Sequence, residues 1–197
     1  SGVGTNAGSY AATASGTDTN YNLTFVPGTM TIAKAPLVIT AVNDGKFITQ
    51  TDATGYMGVS YTGLVNGETG QALTTAPTIT RTNAGVEAIG IYPGVLQVSG
   101  ASSSNYDISY VAGNYTIVPA GQLLVRVAPA SLTYGGSESY TIASAQYLDN
   151  NNRAVSDLTS RTSITGGNRV SMNDGYGGSA SFTIGASAPS YSSSGYL

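Results

Sequence analysis

Residues 105–117 read Asn-Tyr-Asp-Ile-Ser-Tyr-Val-Ala-Gly-Asn-Tyr-Thr-Ile, and the interpretation of the chain starts from this stretch. Tyr106, Ile108 and Tyr110 alternate with polar residues, which is the pattern of a half-buried β-strand. A turn containing Gly113 and a second alternating run follow it. The stretch therefore predicts a β-hairpin whose apolar face is buried, with Tyr106 and Ile108 in the core.

The same pattern occurs a second time near the start of the chain. Residues 20–32 read Asn-Tyr-Asn-Leu-Thr-Phe-Val-Pro-Gly-Thr-Met-Thr-Ile, at an offset of 85 residues from the first stretch. Ser-Ser-Ser at 102–104 returns at 192–194, at an offset of 90. Self-similarity of this kind indicates tandem repeats. We expect the end of one repeat at 1–35, a complete repeat at 36–120, and a third at 121–197 that lacks its closing hairpin.

The rest of the chain is also β-like, and no segment has the periodicity of an amphipathic helix. Residues 149–159 are expected to form a long loop or one helical turn. The fold expected is all-β, as tandem small Ig-like β-sandwich repeats in a rod, with β-grasp-like units as the alternative. Further strands are predicted at 37–43, 58–65, 77–82, 94–100, 122–128, 138–147, 163–172 and 178–185.

Proline-containing linkers of four residues, at 33–36 and 118–121, join the predicted repeats. Such short linkers leave little freedom between neighbours, so the rod is expected to be semi-rigid.

Composition excludes most catalytic functions. The 197 residues include no His and no Cys, and only 9% are charged. The usual general base, the thiolate nucleophile and the soft metal ligands are therefore missing, and we expect no enzyme. Seven basic residues and a net charge of -3 argue against nucleic-acid binding. No run of about 18 apolar residues occurs, so no membrane insertion is expected.

Three groups of residues have a possible chemical role, and each also has a simpler structural explanation. The segment Asp149-Asn150-Asn151-Asn152-Arg153 with Asp157 offers oxygen ligands for Ca²⁺, but Arg153 and Ala154 interrupt an EF-type pattern, so a solvated loop is favoured. Lys46, Glu87 and either Asn105 or Asn114 supply the residue types of a Lys–Asn isopeptide bond. Neither of the two Lys residues is expected to face inward, which argues against that bond.

Two Tyr-Gly-Gly sequences, at Tyr134 and Tyr176, have the composition of tyrosine platforms that stack on sugars. Core packing is the favoured role of these tyrosines, because most of the 14 Tyr lie at alternating strand positions and only 3 Phe are present. No catalytic, cofactor-binding or metal-binding residue is therefore predicted.

The order of several motifs resembles the MBG repeat. Leu37–Ala41 is followed by Tyr61–Thr69 with its Gly-Leu-Val-Asn-Gly sequence, then by Asn83–Gly85, then by the stretch at 105–117. The middle repeat departs from the family at Lys46–Thr49, where a Tyr-Gly motif is usual. The third repeat has that motif within Leu132–Gly135 but has lost the Gly-Leu-Val-Asn-Gly sequence.

The resemblance implies a function outside the cell. MBG repeats and the related YDG repeats occur in tandem in large bacterial surface adhesins, including filamentous haemagglutinin-like proteins exported by two-partner secretion. It implies an adhesin stalk or filament for cell-surface or biofilm attachment, without catalytic residues or cofactors. The alternatives are a carbohydrate- or matrix-binding module with a Tyr- and Asn-rich β face, and a surface hydrolase. The expected partners are neighbouring repeats, and extracellular polysaccharide or another copy of the chain.

The ends of the sequence have two explanations. The chain is either part of a longer continuous rod, or the hairpin of one copy completes the third repeat of another by strand addition. The first is favoured, because strand donation requires the linker at 34–36 to bridge repeats in register.

Overall fold

The structure is a computed structural model that describes residues 6–130, 132, 135–151 and 154–186. These residues form strands and loops, with two short 3₁₀ turns at Gly70–Ala72 and Thr159–Arg161, which confirms the prediction of an all-β protein. The strands, numbered in chain order, are β1 (Gly8–Ala12), β2 (Gly28–Ile32), β3 (Ala35–Ala41), β4 (Asp44–Phe47), β5 (Val59–Thr62), β6 (Thr78–Arg81), β7 (Gly90–Ser99), β8 (Tyr106–Val111), β9 (Gly113–Val118), β10 (Leu123–Val127), β11 (Ile142–Leu148), β12 (Val155–Asp157), β13 (Thr162–Thr165), β14 (Arg169–Asn173) and β15 (Ser179–Thr183).

The described chain divides into two compact units. The first unit contains the described residues up to Asn43, together with Thr54–Ala84 and Tyr92–Tyr115. The second contains Asp44–Ala53, Gly85–Ile91 and the described residues from Thr116 onward.

The predicted hairpin at 105–117 is wrong, because its two strands belong to different sheets. β8 lies beside β3 in the order β5-β3-β8, whereas β9 lies in the order β4-β9-β7-β6. β3 and β8 run parallel, with Ala35 opposite Tyr106 and Thr40 opposite Val111. The chain changes sheet at Ala112, and a side chain on Gly113 would come 2.7 Å from the Ala41 carbonyl oxygen. This corner replaces the expected turn.

The second predicted hairpin, at 20–32, is also wrong. β2 pairs with β1 in antiparallel register, from Gly8 opposite Ile32 to Ala12 opposite Gly28. Residues 13–27 contain no strand, and Tyr21 is 73% exposed. The physical reason is that β2 pairs with β1 and not with residues 20–26. The similar strand β8 is held by β3, and residues 20–26 have no such partner strand among the described residues.

Two three-stranded antiparallel sheets follow β9 along the chain. Their orders are β10-β11-β12 and β13-β14-β15. The single strand predicted at 163–172 is two strands, because a turn at 166–168 reverses the chain and Ile164 pairs with Val170. Strands β1, β4 and β12 had not been predicted. β12 lies within 149–159, where a long loop or one helical turn was expected, and the 3₁₀ turn begins at Thr159, the last residue of that range.

Each unit has its own buried residues. Leu37 and Ile39 of β3 and Leu96 of β7 are fully buried in the first unit. In the second unit, Ile142, Ala145, Leu158, Val170 and Met172 form one cluster, against which alternate residues of β10 pack. Of the predicted strand at 106–110, Tyr106 is buried as expected, Ile108 is half-buried and Tyr110 is 39% exposed. The alternation in that strand therefore predicts burial only at its beginning.

We predict that Leu96→Ala lowers the free energy of unfolding by about 2 to 5 kcal/mol, because it removes a fully buried side chain and leaves a cavity. Ser99→Ala is the control, since Ser99 is an exposed residue of the same strand and should change stability by less than about 0.5 kcal/mol. Urea titrations of the three proteins test this. Equal shifts for both variants would contradict the assignment of the faces of β7.

Candidate functional site

Lys46 is buried, against the expectation that neither Lys faces inward. It lies in β4 with its side chain 5% exposed, and its Nζ is 2.7 Å from a Glu87 carboxylate oxygen and 3.0 Å from one of Asp52. Burial alone lowers the pKa of Lys46, but the hydrogen bonds to Glu87 and Asp52 outweigh it and raise the pKa above its ordinary value. The Lys and acid proposed for an isopeptide bond therefore lie together as an ion triad, which we call the Lys46 triad.

The two Asn residues proposed for that bond have other hydrogen-bond partners. Asn105 Oδ1 accepts from the Ala7 N–H at 3.0 Å, and its Nδ2 donates to Asn6 Oδ1. Asn114 Oδ1 accepts from the Gly94 N–H at 2.9 Å. Their amides hold backbone and loop positions, so the observed geometry favours structural roles for both residues.

A second ion pair lies in the same unit. Arg126 Nε of β10 donates to Asp44 Oδ1 at 2.6 Å, and the Asp44 side chain is 3% exposed. The other guanidinium nitrogens donate to Ser144 Oγ, Gln146 Oε1 and the Gly45 carbonyl. The guanidinium nitrogens thus donate to residues of β4 and β11. The pair therefore connects β4 to β10 and β11, and it is not a ligand site.

The acidic loop proposed for Ca²⁺ is only partly described, because Asn152 and Arg153 lie outside the described residues. Asp149 Oδ1 accepts from the Asn151 N–H at 3.0 Å. Asp157 caps the following turn: its Oδ1 accepts from the hydroxyl and N–H of Thr159, and these two bonds lower the pKa of Asp157. Across the described residues, no three His, Cys, Asp or Glu side chains are grouped so as to hold a metal ion.

Tyr176 does not lie in the core, so that prediction is wrong; Tyr134 lies outside the described residues. Tyr176 is 95% exposed on the loop between β14 and β15. Asp174 organises this loop, because its Oδ1 accepts from the N–H groups of Tyr176 at 2.7 Å and Gly178 at 2.9 Å. The bond from Tyr176 is the main cause of a lowered pKa of Asp174. Gly175 and Gly177 have positive φ, which lets the loop turn this sharply.

A groove of about 360 Å³ opens next to this loop in the second unit. Apolar residues at the start of β10, in β11 and in the cluster around Leu158 and Met172 line it, together with polar residues at the end of β14. No sequence motif predicts this groove, because its lining residues come from five separate segments. The lining residues are Gly121, Leu123, Tyr147, Leu158, Met172, Asn173, Asp174, Gly178, Ser179 and Ala180.

Beside the groove, β10 is the first strand of its sheet, and on its outer side it has no strand partner among the described residues. Val125 lies opposite Ala145 in the antiparallel β11, as Ile39 lies opposite Tyr61 in the antiparallel β5. β3 has β8 on its other side.

We predict that Lys46→Met lowers the free energy of unfolding by about 1 to 3 kcal/mol at pH 7, because it leaves two carboxylates without their cation. The loss should be smaller than for a fully buried ion pair, because Glu87 is half-exposed. Lys34→Met removes an exposed Lys and is the control. A raised pKa in the folded state gives stability that is complete below the unfolded-state pKa of about 10.4 and is lost as pH rises through the folded-state pKa. The difference between wild type and Lys46→Met should therefore be constant from pH 7 to 9 and shrink at higher pH. A difference independent of pH up to pH 12 would contradict this role of Lys46.

Comparison with known proteins gives a family match for part of the chain. Residues 37–116 match the family model of the MBG domain, YGX type. Comparisons with curated proteins and with solved structures gave no significant match. The match spans β3 to most of β9, and it holds although Lys46–Thr49 replaces the Tyr-Gly sequence. The resemblance predicted from the motifs is thus confirmed, and the chain contains an MBG domain.

Proposed function

We propose that this chain is a segment of a bacterial extracellular adhesin, in which successive repeats at 1–35, 36–120 and 121–197 form a semi-rigid stalk or filament for attachment to surfaces or within a biofilm. The MBG match supports an adhesin-like repeat. In the described part of the chain, no helix has the length and apolarity needed to cross a membrane. In this proposal the protein has no enzymatic activity, and its partners are the neighbouring repeats.

The main support for the proposal is the position, within their sheets, of the first and last strands of the MBG domain, β3 and β9. β3 lies between β5 and β8, and β9 lies between β4 and β7. Both terminal strands are therefore hydrogen-bonded along both edges. A pull along the chain enters at the start of β3 and leaves at the end of β9, so it must break two ladders to extract either strand.

The parallel pairing of β3 with β8 adds resistance in the same direction. Six residue pairs, from Ala35–Tyr106 to Thr40–Val111, join the two strands. Tension acts on β3 from its N-terminal end and on β8 from its C-terminal end, through β9. Parallel strands pulled from opposite ends slide in shear, so their hydrogen bonds share the load and do not open one at a time. This arrangement suits a domain that transmits tension in a stalk.

The connections between repeats fit the same role. β2 ends at Ile32 and β3 begins at Ala35, while β9 ends at Val118 and β10 begins at Leu123. The first connection is Ala33-Lys34 and the second contains Pro119. Such short segments have little entropy to lose, so they transmit force with little slack.

We predict that the MBG domain resists force more strongly along the chain than across it. Because the chain has no Cys, attachment points can be introduced at Lys34, Ser104 and Gln122, all exposed. Pulling between 34 and 122 loads β3 and β8 in shear, whereas pulling between 34 and 104 acts on adjacent ends of the two strands and opens them one bond at a time. Single-molecule stretching should give a higher unfolding force for the 34/122 pair. An equal or lower force for that pair would overturn the stalk proposal.

The groove and the exposed Tyr176 favour a second candidate function, a carbohydrate-binding module. Tyr presents a flat apolar face with a polar tip, and the groove is lined by apolar residues together with Asn173 and Asp174. The stalk proposal does not use this surface.

We predict that the purified protein retains no sugar on a glycan array, as expected for a stalk. Retention that is lost with Tyr176→Ala but kept with Tyr110→Ala would favour the second function instead. Tyr110 is the matched control, because it is another partly exposed Tyr that lies in β8, away from the groove lining.

A further inference from the structure

The segment Asn6–Gly8, which we call the NAG segment, is held by a distant residue, Asn105. The side chain of Asn105 makes two hydrogen bonds to it: Oδ1 accepts from the Ala7 N–H at 3.0 Å, and Nδ2 donates to Asn6 Oδ1 at 3.0 Å. One amide therefore contacts both a backbone group and a side-chain group of the segment. The Tyr10 hydroxyl donates to the Asn6 carbonyl oxygen at 2.7 Å, which holds the segment against its own strand β1.

The two partners of this contact belong to different predicted repeats. The Asn-Ala-Gly sequence recurs at 83–85, within the residues that match the MBG family, so the NAG segment is the counterpart of those residues in the preceding repeat. Asn105 directly precedes β8 of the MBG domain. Both partners lie in the first compact unit. The contact therefore joins one repeat to the next.

The backbone of Asn105 is fixed within the MBG domain. Its carbonyl oxygen accepts from the N–H of Ala35, where β3 begins, at 2.9 Å, and its N–H donates to Ser103 Oγ at 3.1 Å. Lys34 Nζ donates to the Ser103 carbonyl oxygen at 3.1 Å. The side-chain amide of Asn105 is thus presented from a fixed backbone, beside the connection between the two repeats.

The contact gives the preceding repeat a second attachment to the MBG domain. β1 and β2 form one antiparallel pair, in which Gly8 at the start of β1 lies opposite Ile32 at the end of β2. β2 is attached through the two-residue connection, and β1 through Asn105. A two-residue connection limits the separation of the repeats, but its four φ and ψ angles can still change their relative direction. Attachment of both strands opposes that change.

We propose that Asn105 is the docking site at which this MBG domain receives the Asn-Ala-Gly segment of the repeat before it, and that the contact fixes the orientation of the pair β1–β2 on the domain. The amide of Asn105 has one acceptor and one donor side, and the NAG segment offers an N–H and a side-chain oxygen to match them. Salt should affect the contact little, because neither partner is charged. The inference rests on the division into repeats that the proposed function uses.

The first test measures the orientation with two spin labels. Because the chain has no Cys, labels can be introduced by Thr29→Cys in β2 and Thr80→Cys in β6, both at exposed positions. With Asn105 intact, double electron–electron resonance should give one narrow distance distribution. Asn105→Ala removes both hydrogen bonds to the NAG segment, so the distribution should broaden about twofold or more, since only the rotatable two-residue connection remains.

Further variants separate the two hydrogen bonds. Asn6→Ala removes the bond from Asn105 Nδ2 and leaves the bond from the Ala7 N–H, so it should broaden the distribution less than Asn105→Ala does. The double variant should be no broader than Asn105→Ala alone, because both residues act in one contact. Asn20→Ala is the control, since Asn20 is an exposed Asn of the same preceding repeat that lies outside the contact.

The second test follows the exchange of single amide hydrogens by NMR. The Ala7 N–H should exchange about tenfold faster in Asn105→Ala than in the wild type, as expected for the loss of one hydrogen bond. The matched control is the Ala84 N–H, at the same position of the recurring sequence, which donates to the Arg81 carbonyl oxygen at 3.2 Å. Its exchange should be equal in both proteins. Asn6→Ala tests the contact without a substitution in the MBG domain.

Three results would overturn the proposal: a distribution as broad with Asn105 as with Asn105→Ala, equal broadening by Asn20→Ala, or exchange of the Ala7 N–H that is the same in both proteins. None of them decides the stalk proposal, because pulling between 34 and 122 loads the MBG domain and not residues 6–8. A low unfolding force between 34 and 122 would in turn leave the contact at Asn105 intact.

Discussion

The parallel pairing of β3 with β8 is the constraint on which the repeat depends. It joins residues 35–40 to residues 106–111, so the first strand is held by a strand near the end of the same repeat. Closing so long a loop has an entropy cost that grows only slowly with its length, and the pairing makes β3 an interior strand. β8 does not pair with β9, which lies between β4 and β7, so the chain turns a corner at Ala112 into the other sheet. The segment 105–117, which the sequence predicts to be a hairpin, therefore connects two sheets.

Several of the few charges of the chain lie where strands meet. Only 9% of the residues are charged, yet Asp44 and Lys46 of one four-residue strand are both buried and both ion-paired. A buried ion pair adds little net stability compared with apolar packing, but removing one partner is costly. Arg126 matches Asp44, the Gly45 carbonyl and two polar groups of β11 at the same time. We infer that these pairs act mainly to fix β4 against its neighbours, since a slip of one residue would leave the charges buried and unmatched.

The sequence predicted the local features of the fold and missed the long-range ones. β-Branched and aromatic content correctly placed strands at β3, β5, β6, β10, β11 and β15, because such content is a property of a few neighbouring residues. Alternation failed for the two hairpins, since adjacency along the chain does not decide which strand is the partner. Residues 20–26 carry the pattern as clearly as β8 does and form no strand. The exposure of Tyr176 and the burial of Lys46 were missed for the same reason, because both depend on contacts with distant residues.

One pattern of alternating residues has two outcomes in this chain. In β8 it pairs with β3, and Tyr106 at the start of that strand is 2% exposed. In residues 20–26 the same pattern forms no strand, and Tyr21 is 73% exposed. Alternation therefore indicates which face of a segment could be buried, whereas a partner strand from a distant part of the sequence decides whether that face is buried.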